Sequence, residues 1–206
     1  MGTDRDTIYI VDDDPAVREA LSSLLRASGK NVRLFTSGAE FLSFERDDTP
    51  GCLVLDLRMP GLNGLDVQRF VSATIPIIFV TGRGDIDSTV KAMKGGASDF
   101  LTKPVDEALL LAAVERALDQ HRIARCDALH HANLLARYRL LTRREQEVLP
   151  LLVKGRLNKQ IAAELGITEY TIQIHRGNIM RKMKADSFAA LVRLAETLKS
   201  ESVQTA

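Results

Sequence analysis

Five short apolar runs, each followed by a stretch with helical spacing, constrain this chain more than any other feature. The runs cover residues 7–11, 32–35, 52–55, 77–80 and 99–101. Their length and their Val, Ile, Leu and Phe content suit buried strands. Between the first two, Val17, Leu21, Leu24 and Leu25 mark one face of a helix that stops at Ser28-Gly29. Shorter helical patterns cover 39–45, 65–73 and 86–94, the last stopped by Gly95-Gly96, and a fifth begins after Pro104. This alternation predicts an α/β domain: a doubly wound, five-stranded parallel sheet with helices on both faces.

In such a sheet, ligands bind beyond the carboxyl ends of the strands. The unusual polar residues fall there: Asp12 and Asp13 after the first run, Asp56 after the third, Thr81 after the fourth and Lys103 after the fifth. The triplet Asp12-Asp13-Asp14 divides by role. Asp14 precedes Pro15, an N-cap followed by proline at the first helical position. Asp12 and Asp13 then share a crevice with Asp56, and three carboxylates do not all ionise together without a cation. Mg²⁺ meets that need, because it is held by one or two carboxylates plus waters and phosphate oxygens. Lys103 adds a second positive charge and Thr81 a hydroxyl donor, so the pocket is suited to a phosphoryl group.

Two reactions fit such a pocket. Asp56 could be the nucleophile of a phosphate-ester hydrolase, or it could accept a phosphoryl group and keep it as a switch. A hydrolase needs an acid to protonate the leaving alkoxide. The position two residues after Asp56, where similar phosphatases carry Asp, is Arg58. The switch is the better reading.

The motifs IVDDDP, LVLDLRMPGLNG, FVTGRGD and DFLTKP, in that order over roughly residues 6–120, closely resemble the receiver domain of two-component response regulators, a flavodoxin-like fold. The resemblance implies Asp56 as phosphoacceptor, with a metal site of Asp13 and Asp56, Asp12 in close support, and the backbone carbonyl of Arg58. It implies Thr81 and Phe100 as a hydroxyl and aromatic switch pair, Lys103 as the phosphate-binding lysine, and a cis bond from Lys103 to Pro104. Arg83 stands where close relatives often carry His.

Charge separates this part from the rest of the chain. Residues 1–120 carry 13 Lys+Arg and 19 Asp+Glu, a net of −6, whereas residues 121–206 carry 15 and 8, a net of +7. A basic second module points to a polyanionic partner. Thr142 with Glu145 is a capping box, Gly155 ends the helix it opens, and Asn158 starts another bearing Ile161, Ala162 and Leu165 on one face. The turn LGIT leads into a further helix, giving a helix-turn-helix. At about 100° per residue, Ile172, Ile179 and Met183 form the core side of that helix. Tyr170, Gln173, Ile174, Gly177, Arg181 and Lys184 lie opposite. Ile174 suits a thymine methyl and Gln173 an adenine edge, and Gly177 allows close approach to a duplex. Thr168, Thr171 and Arg176 complete the candidate DNA-binding residues. Single-stranded RNA binding is disfavoured: Trp is absent and Tyr170 stands almost alone as a stacking platform.

The motifs LTRREQEVL, NKQIAAELGI and TIQIHRGNIMRKM resemble the LuxR/FixJ (NarL-type) DNA-binding domain, which implies an all-α four-helix module whose last helix, 187–198, pairs subunits. Gln173 stands where relatives often have Lys. The expected organisation is a receiver over 6–120, a helical linker over 121–135 and the DNA-binding domain over 136–201. Residues 106–135 are rich in Ala, Leu, Arg and Glu and lack Gly and Pro, so the fifth receiver helix should run on to about Leu135.

Together the two resemblances imply a transcription regulator rather than an enzyme. A sensor histidine kinase would phosphorylate Asp56, and the phosphorylated chain would form a homodimer on double-stranded promoter DNA and engage RNA polymerase. The complete set Asp13, Asp56, Thr81 and Lys103 argues against a vestigial receiver with constitutive DNA binding. The polar opening MGTDRDT is unlike a secretory signal, and no apolar run reaches the ~18 residues of a membrane span. Cys52 and Cys126 fit no metal-ligand or CxxC spacing. A reducing cytoplasm is the expected location.

Overall fold

The central strands of the first unit are buried along their whole length, so their sheet needs cover on both faces. The computed structural model, which describes residues 6–82 and 86–202, supplies it through the expected alternation. The order is β1 (Thr7–Val11), α1 (Pro15–Ala27), β2 (Asn31–Phe35), α2 (Gly38–Ser43), β3 (Gly51–Asp56), α3 (Gly64–Val71), β4 (Ile77–Thr81), α4 (Ile86–Lys94), β5 (Asp99–Thr102) and α5 (Glu107–Arg139). All strand pairs are parallel, in the spatial order β2-β1-β3-β4-β5. Successive side chains point to opposite faces. Ile8, Ile10, Cys52, Val54, Ile78 and Val80 therefore pack with Leu21 and Leu25 of α1 and Leu110, Val114 and Leu118 of α5. Tyr9, Val11, Leu53, Leu55, Ile77 and Phe79 pack with Phe41, Val67, Val71 and Ala92 of α2, α3 and α4.

Local signals start the helices. Asp14 caps α1, its Oδ1 accepting from the Ala16 N–H at 2.8 Å, with Pro15 in the first turn. Ser37 caps α2 and Asn63 caps α3, each such cap contributing about 1 kcal/mol. Both helices are slightly shorter than their apolar spacing suggests, because Phe44 and Ser72 already serve as C-caps. At Gly64 a Cβ would lie 2.5 Å from the Asp56 carbonyl oxygen. Glycine there lets α3 start directly against the end of β3. The Lys103–Pro104 bond is cis, and Arg83 lies outside the described residues.

α5 is one helix of 33 residues, continuing four residues past the expected end at Leu135. Residues 121–125, where the sequence reading starts a helical linker, make contacts with the first unit. His121 Nδ1 accepts from the Gly51 N–H at 2.9 Å, Arg122 pairs with Asp6, and Arg125 Nη1 lies 2.6 Å from Asp48 Oδ1. Accordingly the chain divides into compact units after Arg125.

The second unit takes the C-terminal part of α5 together with α6 (Arg143–Val153), α7 (Asn158–Leu165), α8 (Glu169–Met183) and α9 (Phe188–Ser202). The capping box at Thr142 is formed, with the Thr142 N–H donating to Glu145 Oε2 at 2.7 Å. Gly166, at φ +66°, turns α7 into α8. Val148, Leu152, Ile161, Ile172, Ile179, Met183 and Leu191 form the core, to which α5 adds Leu134. Among the described residues, no helix is long and apolar enough to cross a membrane.

Candidate functional site

Strand order places the crevice. β1 lies between β2 and β3, so chain leaving β1 passes to one side of the sheet and chain leaving β3 to the other. Ligands bind at such a switch point. Asp12 and Asp13 leave β1 there, and Asp56 ends β3. One carboxylate oxygen from each of the three lies within 4.8 Å of the others. Asp12 is 1% exposed and Asp56 6%, whereas Asp13 opens to solvent.

Backbone and side-chain contacts hold the acids in place. The Asp14 N–H donates to Asp12 Oδ1 at 2.9 Å, and Arg18 Nη1 donates to the Asp12 carbonyl at 2.5 Å. Lys103 Nζ reaches in from the end of β5, 2.7 Å from Asp12 Oδ2 and 3.5 Å from Asp56 Oδ1. Burial raises the Asp56 carboxyl above its ordinary value and Asp12 adds to this, while the Lys103 ammonium and the Arg58 backbone N–H oppose it. Burial by itself would depress Lys103, but its hydrogen bond to Asp12 and the charge of Asp56 outweigh that and raise it. Thr81, 1% exposed, has a hydroxyl with no hydrogen-bond partner. Leaving such a group unmade costs about 1–3 kcal/mol. Phe100 is half-buried against the α2–α3–α4 side of the core. Arg58 and Asp13 line one open cleft. The donor set is entirely hard oxygen, which fits Mg²⁺ rather than a softer metal.

The second surface is the outer side of α8. Tyr170 is 73% exposed and Ile174 47%, and Gln173, Gly177 and Arg181 are open beside them. A Cβ on Gly177 would meet nothing within 4 Å, so no contact inside the protein requires glycine. Three expected contacts have internal roles as well. Thr168 is the N-cap and accepts from the Thr171 N–H at 3.2 Å. Arg176 is half-buried, its guanidinium 4.7 Å from the Phe188 ring centroid.

Lys184 departs from its expected place on the helix. α8 ends at Met183, and Lys184 is a left-handed C-cap at φ 52°, because the Ala185 N–H turns back to the Met180 carbonyl at 2.9 Å. Sequence reading also missed Arg18, whose partner is a backbone carbonyl and leaves no spacing signal. It missed Lys182 as well, whose Nζ lies 2.7 Å from the buried Glu145 carboxylate.

Fold and site together define a receiver joined to a helix-turn-helix unit. Residues 8–115 match the family described as response regulator receiver domain, and residues 139–195 match bacterial regulatory proteins of the luxR family. The response regulator protein TodT of Pseudomonas putida is 50% identical over 93% of this chain and 86% of its own length. The transcriptional regulatory protein FixJ of Rhizobium meliloti is 41% identical over 92% of this chain and 94% of its own. Among solved structures, response regulator StyR matches with a TM-score of 0.85 at 46% identity, covering 94% of this chain and 99% of that one. Full-length FixJ from B. japonicum matches with a TM-score of 0.54 at 40% identity, covering 92% and 95%.

The chain belongs to the LuxR/FixJ family of two-component response regulators, with an N-terminal receiver domain and a LuxR-type DNA-binding domain. Its family is one of transcription regulators rather than enzymes. A receiver implies a histidine kinase as partner, and receivers generally bind Mg²⁺ at an acidic pocket such as the Asp12-Asp13-Asp56 cluster.

Proposed function

We propose that Asp56 accepts a phosphoryl group from a sensor histidine kinase, and that this controls binding of the chain to promoter DNA. The observation that carries the reading is the meeting of Asp12, Asp13, Asp56 and Lys103 beside the unpartnered hydroxyl of Thr81. An Asp56 carboxylate oxygen attacks phosphorus in line, the phosphorus–nitrogen bond of the phosphohistidine breaks, and the imidazole leaves with the bonding electrons. Asp12, Asp13, Asp56 and the Arg58 carbonyl would hold Mg²⁺, which neutralises charge on the transferring group. Lys103 exchanges part of its pairing with Asp12 for a phosphoryl oxygen. Thr81 donates its free hydroxyl to another, and Phe100 moves into the space that Thr81 leaves.

In this reading residues 6–120 are the phosphoacceptor domain, 121–135 a helical connection and 136–201 the DNA-binding domain. The phosphorylated chain forms a homodimer on double-stranded promoter DNA and engages RNA polymerase, all in the cytoplasm. Thr168, Tyr170, Thr171, Gln173, Ile174, Arg176, Gly177, Arg181 and Lys184 make the DNA contacts. The exposed side of α8 supports this, and a dimer raises the effective concentration of the second DNA-binding unit.

Acetyl phosphate with Mg²⁺, then intact-mass measurement, tests the first step. One phosphoryl adduct is expected, absent when EDTA is present from the start of the incubation and absent in Asp56→Asn. An equal adduct on Asp56→Asn would overturn the assignment of Asp56.

A further inference from the structure

Away from the acidic crevice, α5 carries a thiol and an imidazole placed as a chelating pair. Cys126 and His130 are four residues apart, so they share one face of the helix. Both are exposed. Their Sγ and Nδ1 atoms are 3.8 Å apart. A tetrahedral ion with a metal–sulfur bond of about 2.3 Å and a metal–nitrogen bond of about 2.0–2.1 Å holds its two donors about 3.6 Å apart. The side chains are already close to that span, on a continuous helix.

A hydrogen bond alone accounts poorly for the arrangement. The thiol is a weak donor, 3.8 Å is long, and water reaches both groups. We propose that Cys126 and His130 form a binding site for a borderline or soft transition-metal ion, of which Zn²⁺ is the representative. Thiolate and imidazole together select such ions, whereas the all-oxygen cluster at Asp56 selects hard ones. On binding, the thiol gives up its proton to solvent and sulfur and nitrogen each donate an electron pair to the ion. Among the described residues, no third His, Cys, Asp or Glu offers a donor within 4.8 Å of both. The remaining coordination positions therefore belong to water, and the ion exchanges readily. Both side chains are exposed, which leaves room for those waters.

The other thiol does not compete. Cys52 is completely buried, and burial pushes it up to about 12. A sulfur-specific signal therefore reports on Cys126.

Titrating the full chain with Co²⁺ under reducing conditions tests the site. The thiolate-to-cobalt charge-transfer band in the near ultraviolet is expected in the native chain and to be bleached by added Zn²⁺. It is lost in Cys126→Ser and in His130→Ala. It persists in Asp56→Asn, because ions at the acidic crevice have no sulfur ligand. A second measurement is the rate of Cys126 alkylation by iodoacetamide, which Zn²⁺ slows in the native chain but not in His130→Ala. No band in the native chain, or a band and protection unchanged in His130→Ala, would overturn the proposal.

Discussion

Lys182 Nζ lies 2.7 Å from Glu145 Oε2, so α8 is fastened by an ion pair to the capping box that opens α6. The Glu145 side chain is 3% exposed and that of Lys182 24%. Glu145 thus has two roles, capping α6 through Thr142 and holding the helix that carries the DNA-binding surface.

Removing the cation should leave Glu145 buried with its charge half-answered. Lys182→Met is expected to destabilise the C-terminal unit by about 1–3 kcal/mol. Burial opposes ionisation of Glu145, but the Lys182 and Thr142 hydrogen bonds overcome it and hold the carboxyl below its ordinary value. Such a group contributes stability above its unfolded-state value, about 4.3, and that contribution is lost as pH falls through the folded-state value. Thermal unfolding should show the native chain more stable than Glu145→Gln at pH 7, with the gap closing below about pH 4.3. A gap that does not change with pH would show that charge is not the cause.

Thr81 gives a cleaner separation of stability from signalling. Its buried hydroxyl lacks a partner, so Thr81→Ala removes no hydrogen bond, and the denaturation midpoint should stay the same or rise slightly. Phosphoryl uptake at Asp56 should continue while the phosphorylation-dependent gain in DNA binding shrinks. Comparing the DNA affinity of native and variant chains before and after acetyl phosphate treatment checks this.

Ile174 is an apolar side chain held out among polar and basic neighbours. Ile174→Ala should weaken binding to the specific site by roughly 1 kcal/mol or more and barely change binding to random duplex. Equal losses on both sequences would mean that the side chain does not read bases.

Gly177 should trade one property for the other. Alanine meets nothing there inside the protein, and it favours a helix interior by about 0.5–1 kcal/mol. Gly177→Ala is expected to raise the unfolding temperature of the C-terminal unit while lowering DNA affinity, because the added methyl stands between helix and duplex. Calorimetry and a binding titration on the same sample measure both.

The sequence by itself determined whatever depends on neighbours a few residues apart. The five strands, the Asp14-Pro15 start of α1 and the capping box at Thr142 are legible because period, cap and turn chemistry act within one or two helical turns. The acidic crevice was legible too, since a parallel sheet brings every strand's carboxyl end to one edge. Packing decided the rest. Nothing local says that Lys103 reaches Asp12 across 91 residues, or that Thr81 keeps a free hydroxyl. Nor does it say that His121, Arg122 and Arg125 grip Gly51, Asp6 and Asp48. Extrapolating α8 at a constant angle carried Lys184 onto the helix, but burial of Ala185 with Met183 turns the chain one residue earlier. A helix continues until tertiary contacts at its end stabilise a turn more than another residue of helix would, and here Arg137 of α5 and Glu145 of α6, both distant in sequence, reach the last residues of α8.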